Sequence, residues 1–336
     1  MYVINNINKI IVSYLKRKKK KNIEEIFLMY KVVILMSAYN GALYIEEQLD
    51  SIFEQTYQNF ELLIRDDAST DNTVEIIENY KRKHEAEVAG RLTIISDNQG
   101  NIGYMRNFWN LLKESSDADV YAFCDQDDVW EPVKLERGVQ CLEGQGVDIP
   151  LLYTSRFAYY SGDMVFQEEG IRYPYNITFD KVAFYTPAFG FTIMINDKLR
   201  QKALSASDLT DIPHDAWCLK IASSFGKVIY DEAITAKYRR HSATVTHASA
   251  SKLKLTQEWI KKDVIHGNMR ERYWFLTRFL EEYGEELPAQ DIEFIKIFGE
   301  QKDSLALRIK RFCYKSRFRP TMGGEIALRI CFLLGM

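Results

Sequence analysis

The chain contains no run of about 18 apolar residues, so no segment reads as a transmembrane helix. Its five cysteines (Cys124, Cys141, Cys218, Cys313, Cys331) are odd in number, widely spaced and free of any Cys-x-x-Cys pair. That distribution argues against a disulfide framework and reads as reduced, buried thiols in a cytosolic protein. A signal peptide is not expected, because the basic cluster near the start follows the apolar part instead of preceding it. No internal repeat is present, and no Gly-rich, Lys-bearing phosphate loop follows the first apolar run. The net charge of only −3 gives no global reason to expect nucleic acid.

Charge is present locally instead. Basic residues gather at Lys16-Arg17-Lys18-Lys19-Lys20-Lys21 and again at Arg308, Lys310, Arg311, Lys315, Arg317 and Arg319. With 336 residues the chain divides into a basic tail (1–30), a large domain (31–250) and a helical C-terminal region (251–336). Ile4, Ile7, Ile11 and Leu15 recur at helical spacing before the Lys run, as in an amphipathic helix lying on anionic lipid. A disordered tail, or an extension upstream of a start at Met29, fits equally. At the other end the basic stretch and the apolar Ile326–Leu334 read either as a membrane-surface element or as ordinary helix packing or a dimer interface. Trp259, Ile260, Val264, Tyr273, Trp274, Leu276, Phe279 and Leu280 read as a helical core stripe.

From Lys31 onward short apolar runs alternate with amphipathic segments. Val32–Met36, Phe60–Ile64, Leu92–Ile95 and Val120–Cys124 read as strands, and Leu43–Phe53, Tyr104–Leu112 and Val133–Leu142 as helices. A further helix through Val74–Tyr80 is expected to be capped by Ser69 and Thr70. The spacing implies βαβ units in a Rossmann-like, mainly parallel sheet flanked by helices. Beyond Pro150, Leu151–Tyr160 and Met164–Ile171 form a hairpin candidate. Phe189–Ile195 and Lys227–Tyr230 complete the strands, and Asn196–Ala206 and His214–Phe225 the helices.

Polar clusters fall at the carboxyl ends of the first four strands: Ser37–Asn40, Asp66-Asp67, Asp97–Asn101 and Asp125–Asp128. Ligands of open α/β sheets bind there. The run Phe123-Cys124-Asp125-Gln126-Asp127-Asp128-Val129-Trp130 crowds three carboxylates, which repel unless a cation or a proton intervenes. Oxygen donors suit Mg²⁺ or Mn²⁺ bridging to a diphosphate. The alternative is a turn that merely caps the helix begun by Glu131-Pro132.

Met36-Ser37-Ala38-Tyr39-Asn40-Gly41, Glu47–Ile52, Gln55-Thr56, Asp66–Asp71, Asn98–Asn107, the Asp-Gln-Asp-Asp-Val-Trp run with Lys134-Leu135, and His214-Asp215-Ala216-Trp217 together resemble family 2 glycosyltransferases over about residues 31–245. The last motif, with Tyr238-Arg239-Arg240-His241, resembles bacterial rhamnosyltransferase-like members that build cell-surface polysaccharides.

The resemblance implies a GT-A fold and inverting transfer of a sugar from a nucleoside diphosphate sugar, first choice rhamnose from dTDP-rhamnose, otherwise a UDP-hexose or UDP-N-acetylhexosamine. The acceptor would be a glycan or lipid-linked glycan, and the location cytoplasmic, peripheral at the inner face of the cell membrane. Ser37, Tyr39, Asn40 and Asp67 would line the nucleotide pocket, with Asp67 accepting from a pyrimidine N–H. Asp125 and Asp127 would correspond to the DxD motif holding ribose and a Mg²⁺ or Mn²⁺ cofactor.

Asp215 stands where the family's base stands, with His214 as the other candidate base or a helix cap. His241 either completes the metal site or contacts phosphate, or is a surface histidine. Asn101 and Arg106 would touch the donor, unless Arg106 pairs with Asp128 or Asp97. The sequence departs from the family at Cys218, in place of a second tryptophan on the acceptor wall, and at Ala68, in place of a glycine. A non-catalytic sugar-nucleotide-binding or scaffold subunit is the alternative from another class.

Overall fold

The computed structural model describes residues 30–95, 99–145, 148–170, 172–173, 176–241, 268–300 and 302–336. The expectations for the tail up to residue 29, for Asp97, for the 250/251 boundary and for Trp259, Ile260 and Val264 lie outside the described residues.

The first half alternates as expected: β1 (Val32–Ala38), α1 (Ile45–Phe53), β2 (Phe60–Asp66), α2 (Thr73–Lys83), the short α3 (Glu85–Val88), β3 (Leu92–Ile95), α4 (Tyr104–Glu114), β4 (Val120–Asp125), β5 (Val129–Trp130) and α5 (Lys134–Glu143). There follow β6 (Leu151–Ser161), β7 (Phe166–Glu169), α6 (Phe179–Val182), β8 (Ile193–Asn196), α7 (Asp197–Leu204), α8 (His214–Phe225) and β9 (Lys227–Arg240). Four helices close the chain: α9 (Asn268–Tyr283), α10 (Ala289–Phe298), α11 (Leu305–Phe312) and α12 (Met322–Leu334).

The strands form one sheet in the order β3-β2-β1-β4-β8-β6-β9-β5, with β7 beside β6. Its first four strands are parallel, as βαβ crossovers require. The second half is mixed: β8 runs antiparallel to both β4 and β6, β9 parallel to β6, and β5 antiparallel to β9. The sheet is therefore less uniformly parallel than the strand–helix alternation implied.

β1 explains why its sequence reads as an unbroken apolar run. Val33 and Leu35 enter one core cluster, and Val32, Ile34 and Met36 enter the cluster on the other face. The first cluster extends into the C-terminal helices through Trp217, Phe279, Phe294, Phe298 and Phe332. Trp217 of α8 meets Phe279 of α9 edge-on at 5.1 Å and donates its indole N–H to the Tyr283 hydroxyl. The closing helices thus share a core with the sheet.

Three local expectations change. Ser69 and Thr70 do not cap α2: Ser69 is bonded to Asp66, and Asp71 accepts the Thr73 N–H instead. Residues 190–192 form a 3-10 turn rather than strand, held by Thr192, whose hydroxyl bonds both backbone groups of Phe189. β9 continues ten residues beyond Tyr230, because register irregularities around Arg156 absorb Glu232, Ala233 and Thr235 without ending the pairing. Among the cysteines, Cys124, Cys218 and Cys331 are buried, Cys141 is half-buried and Cys313 is exposed, so the expectation of burial holds for three.

Candidate functional site

The carboxyl ends of β1, β2 and β4 meet the N-terminus of α8 around a cleft of about 550 Å³. The β2 end supplies Asp67, whose backbone N–H donates to Ala38 at the end of β1 (2.7 Å). Its carboxylate is almost fully buried and accepts from the Ile102 N–H (2.9 Å), the Gly103 N–H (2.8 Å) and the Arg65 guanidinium (2.9 Å). A carboxylate offers about four acceptor positions, so one remains, on Oδ2. Asp67 therefore fastens the loop leading into α4 and keeps one acceptor position on Oδ2 unused among the described residues. Ala68, next in the chain, sits at φ 62, in the left-handed region where glycine is the unstrained choice.

The β4 end carries the carboxylate run. Gln126, between the two carboxylates, bonds Tyr39 twice: its Oε1 accepts the Tyr39 N–H (2.8 Å) and its Nε2 donates to the Tyr39 carbonyl (2.7 Å). Gly41 leaves room for this clasp, since a Cβ there would lie 2.1 Å from Gln126 Oε1. Asp128 is fully buried and accepts the Arg239 N–H (3.1 Å), so it braces β9 and caps no helix. The cap position before α5 is Val133, with no side-chain cap bond. Arg239, also buried, donates to the Asp127 carbonyl (2.8 Å) and the Gly162 carbonyl (2.6 Å) and pairs with Glu47. His241 Nε2 lies 2.8 Å from Asp127 Oδ2.

On the opposite wall, Asp215 occupies the first turn of α8, where the helix dipole favours a carboxylate, and accepts the Ala216 N–H (2.7 Å). Burial raises its pKa above the ordinary carboxylate value, against the pull of that N–H and of Lys220. Asp125 is pushed up to about 7, by burial first and then by the carboxylates of Asp127 and Asp215. Tyr104, at the start of α4, lines the cleft close enough to Asp215 and Asp125 for both to add to the burial that raises its phenol pKa.

His214 is wedged between the rings of Phe108 (4.2 Å) and Phe123 (4.5 Å), and neither ring nitrogen has a hydrogen-bond partner among the described residues. Burial depresses its pKa to about 3. It neither caps α8, whose cap position is Pro213, nor presents a nitrogen surface to the cleft.

Of the residues singled out from the sequence, Ser37, Tyr39, Asp67, Asn101, Asp125, Asp127, His214 and Asp215 all line this cleft, His214 with its nitrogens turned away. Asn40 does not; its Oδ1 accepts the Thr70 N–H and its backbone N–H donates to Ser69, a bracing role across two strand-end turns. Arg106 is also off the wall. It faces Asp211 at 3.9 Å, and the expected pairing with Asp128 does not form. His241 is not on the cleft wall, but its Nε2 touches the wall residue Asp127. Cys218 is fully buried, so the missing second tryptophan alters the core rather than an acceptor wall.

Gln126, Tyr104, Phe189 and Tyr238 line the cleft without having been singled out, and Arg239 braces it from behind. Gln126 and Arg239 lie inside quoted motifs, so position alone marked them. Tyr104 and Tyr238 lie inside such motifs too, whereas nothing in the sequence around Phe189 distinguishes it from a core aromatic.

Among the described residues no group of three His, Cys, Asp or Glu side chains forms a ready-made metal cage. Mg²⁺ and Mn²⁺ need none when one or two carboxylates and substrate phosphates suffice. Asp125 and Asp127 fit that role, because the repulsion and burial that raise Asp125 are what a cation relieves.

Residues 33–204, just over half of the chain, match the family model described as glycosyl transferase family 2. The dTDP-rhamnosyl transferase RfbG of Shigella flexneri is 36% identical over 109 residues, 32% of this chain and 36% of that protein. The poly(ribitol-phosphate) beta-N-acetylglucosaminyltransferase TarS of Staphylococcus aureus is 28% identical over 126 residues, 37% of this chain and 21% of that protein. The chain thus spans about a third or less of the length of these curated relatives.

Among solved structures, S. aureus TarS 1-349 in complex with UDP superimposes with a TM-score of 0.53 at 14% identity, over 85% of this chain and 72% of that one. The mannosyltransferase PcManGT of Pyrobaculum calidifontis, in complex with GDP-Man and Mn²⁺, gives 0.51 at 16% identity, over 90% and 76%. These likenesses establish the GT-A fold. With the fold, the strand-end cleft and the family match in agreement, the chain belongs to glycosyltransferase family 2.

Proposed function

We propose that this chain transfers a sugar, with inversion, from a nucleoside diphosphate sugar to a glycan acceptor of the cell envelope. The observation that carries this reading is the facing of Asp215 and the Asp125/Asp127 pair across one cleft. The donor's nucleotide lies along Ser37, Tyr39 and Asp67, with the remaining Asp67 lone pair for a pyrimidine N–H. Asn101 contacts the donor from the loop that Asp67 fastens. Asp125 and Asp127 hold ribose and diphosphate with a Mg²⁺ or Mn²⁺ ion, and His241 is the third donor atom near them. When bound, the cation neutralises charge accumulating on the leaving diphosphate.

Asp215 takes the proton of the acceptor hydroxyl as its oxygen bonds to the anomeric carbon. The bond from that carbon to the diphosphate oxygen breaks on the opposite face, and the nucleoside diphosphate leaves with the electron pair. A raised carboxylate pKa suits that general base. His214 is a poor rival: it lines the cleft, but its pKa is depressed to about 3 and both ring nitrogens are buried.

Rhamnose from dTDP-rhamnose is the first donor to test, following the resemblance to RfbG; a UDP-linked hexose or N-acetylhexosamine is the second, following TarS. The location is cytoplasmic, peripheral to the membrane that carries a lipid-linked acceptor. A thermal-shift screen of nucleotide sugars with and without Mn²⁺ identifies the donor as the one whose stabilisation requires metal. Asp215→Asn then separates enzyme from binding subunit. Transfer, read as released nucleoside diphosphate, falls by about 10²–10⁴-fold while the donor-induced shift persists. Equal transfer by the two proteins would refute the assignment of the base.

A further inference from the structure

Among the described residues, the closing helices leave an apolar face uncovered. On α11, Leu305, Ile309 and Phe312 recur at helical spacing, and Leu305 is 70% exposed. On α12, Met322, Ile326, Ile330, Leu333 and Leu334 do the same, with Met322 63% and Ile326 56% exposed. The two helices pack against each other, while Leu328, Cys331 and Phe332 of α12 face the core. Scattered exposed apolar residues are ordinary, but eight on one helical pair are not.

The charges around this face are predominantly positive. Residues 302–336 hold eight basic and two acidic side chains, in a chain whose net charge is −3. Both acids are committed: Asp303 pairs with Arg308, and Glu325 is buried, accepting from the Phe318 and Arg319 N–H groups and from Arg329. Lys310 and Lys315 are exposed and have no acidic partner among the described residues.

We propose that this α11/α12 face docks on an anionic lipid surface, with its apolar side chains among the acyl chains and Lys310 and Lys315 at the headgroups. A second copy of the chain is disfavoured, because pairing like faces brings the cations together, whereas anionic headgroups attract them. The element lies on the membrane and does not cross it. At 13 residues, α12 is about 20 Å long, short of a hydrocarbon core of about 30 Å.

The surface also adjoins the cleft through the chain. Phe184 packs among Phe298, Phe318 and Phe332, and Phe189, five residues on, lines the cleft, at most about 18 Å away. This deepens the peripheral location proposed above and rests on it, but its test requires no sugar transfer.

The test is flotation of the full chain on vesicles of phosphatidylcholine alone or mixed with phosphatidylglycerol. Binding to the mixed vesicles is expected, falling steeply with added salt. Two independent double variants, Ile326→Glu with Ile330→Glu and Lys310→Glu with Lys315→Glu, should each lower the vesicle-bound partition by about thirtyfold or more, the loss of two contacts of about 1 kcal/mol each. Their nucleotide-sugar thermal shift should stay at the wild-type value, which certifies the fold. Flotation unchanged in both variants would overturn the proposal and move any lipid contact elsewhere in the chain. So would a wild-type dimer, by light scattering, that does not float and that Ile326→Glu with Ile330→Glu dissociates.

Discussion

The site is held by side chains that touch no substrate in the proposed mechanism, and their removal tests how it is built. Arg239 fixes the Asp127 carbonyl, the Gly162 carbonyl and Glu47 from a buried position. Arg239→Met should cost about 1.5–3 kcal/mol in urea unfolding, the range for hydrogen bonds to charged groups, and weaken donor binding with it. Gly41→Ala places a methyl where Gln126 now lies, freeing the Tyr39 clasp. Its expected signature is a raised donor KM with little change in melting temperature. Ala68→Gly runs the other way: it relieves a left-handed residue at φ 62 and should be neutral to stabilising by up to about 1 kcal/mol. At this scale the sequence marked the carboxylates but not their holders. An Asp before a turn advertises itself, whereas Arg239 looks like any other cation in a basic stretch until its partners are in place.

Strands and helices were legible where apolar runs stop at polar turns, and β1, β2, β3 and β4 stand where the residues place them. The reading failed at β9. Asp231, Glu232 and Ala233 look like a loop, and the irregularity beside β6 that accommodates Glu232, Ala233 and Thr235 has no sequence signal. Asp231, paired with Ser155, stands at the edge of that irregularity. Burial would raise its pKa, but hydrogen bonds from Arg137, the Ala233 N–H and Tyr153 together hold it below the ordinary carboxylate value. A carboxylate depressed on folding adds stability that is present above its unfolded pKa, near 4, and is lost as pH falls through the folded value. Asp231→Asn should therefore melt below wild type at pH 7, and the gap should close as the solution is taken below about pH 4.

At the scale of the molecule, the shared core joins the closing helices to the sheet, with Trp217 as one of the links. Trp217→Ala should cost about 3–5 kcal/mol, and helix loss and nucleotide release should coincide in one denaturant transition. The family motifs disclosed α8 but not this union, because Trp217 lies in a motif that also carries Asp215 and reads as part of the site. The bonds from Arg239 to Asp127 and Glu47 have a kinetic consequence as well. They close loops of more than a hundred residues, with sequence separations of 112 and 192. Contacts so distant along the chain form late in folding, after the local βαβ pairings. A growing chain therefore exposes its three crowded carboxylates well before the arginine that steadies them has been synthesised, and the proposed nucleotide capture becomes a property of the finished polypeptide.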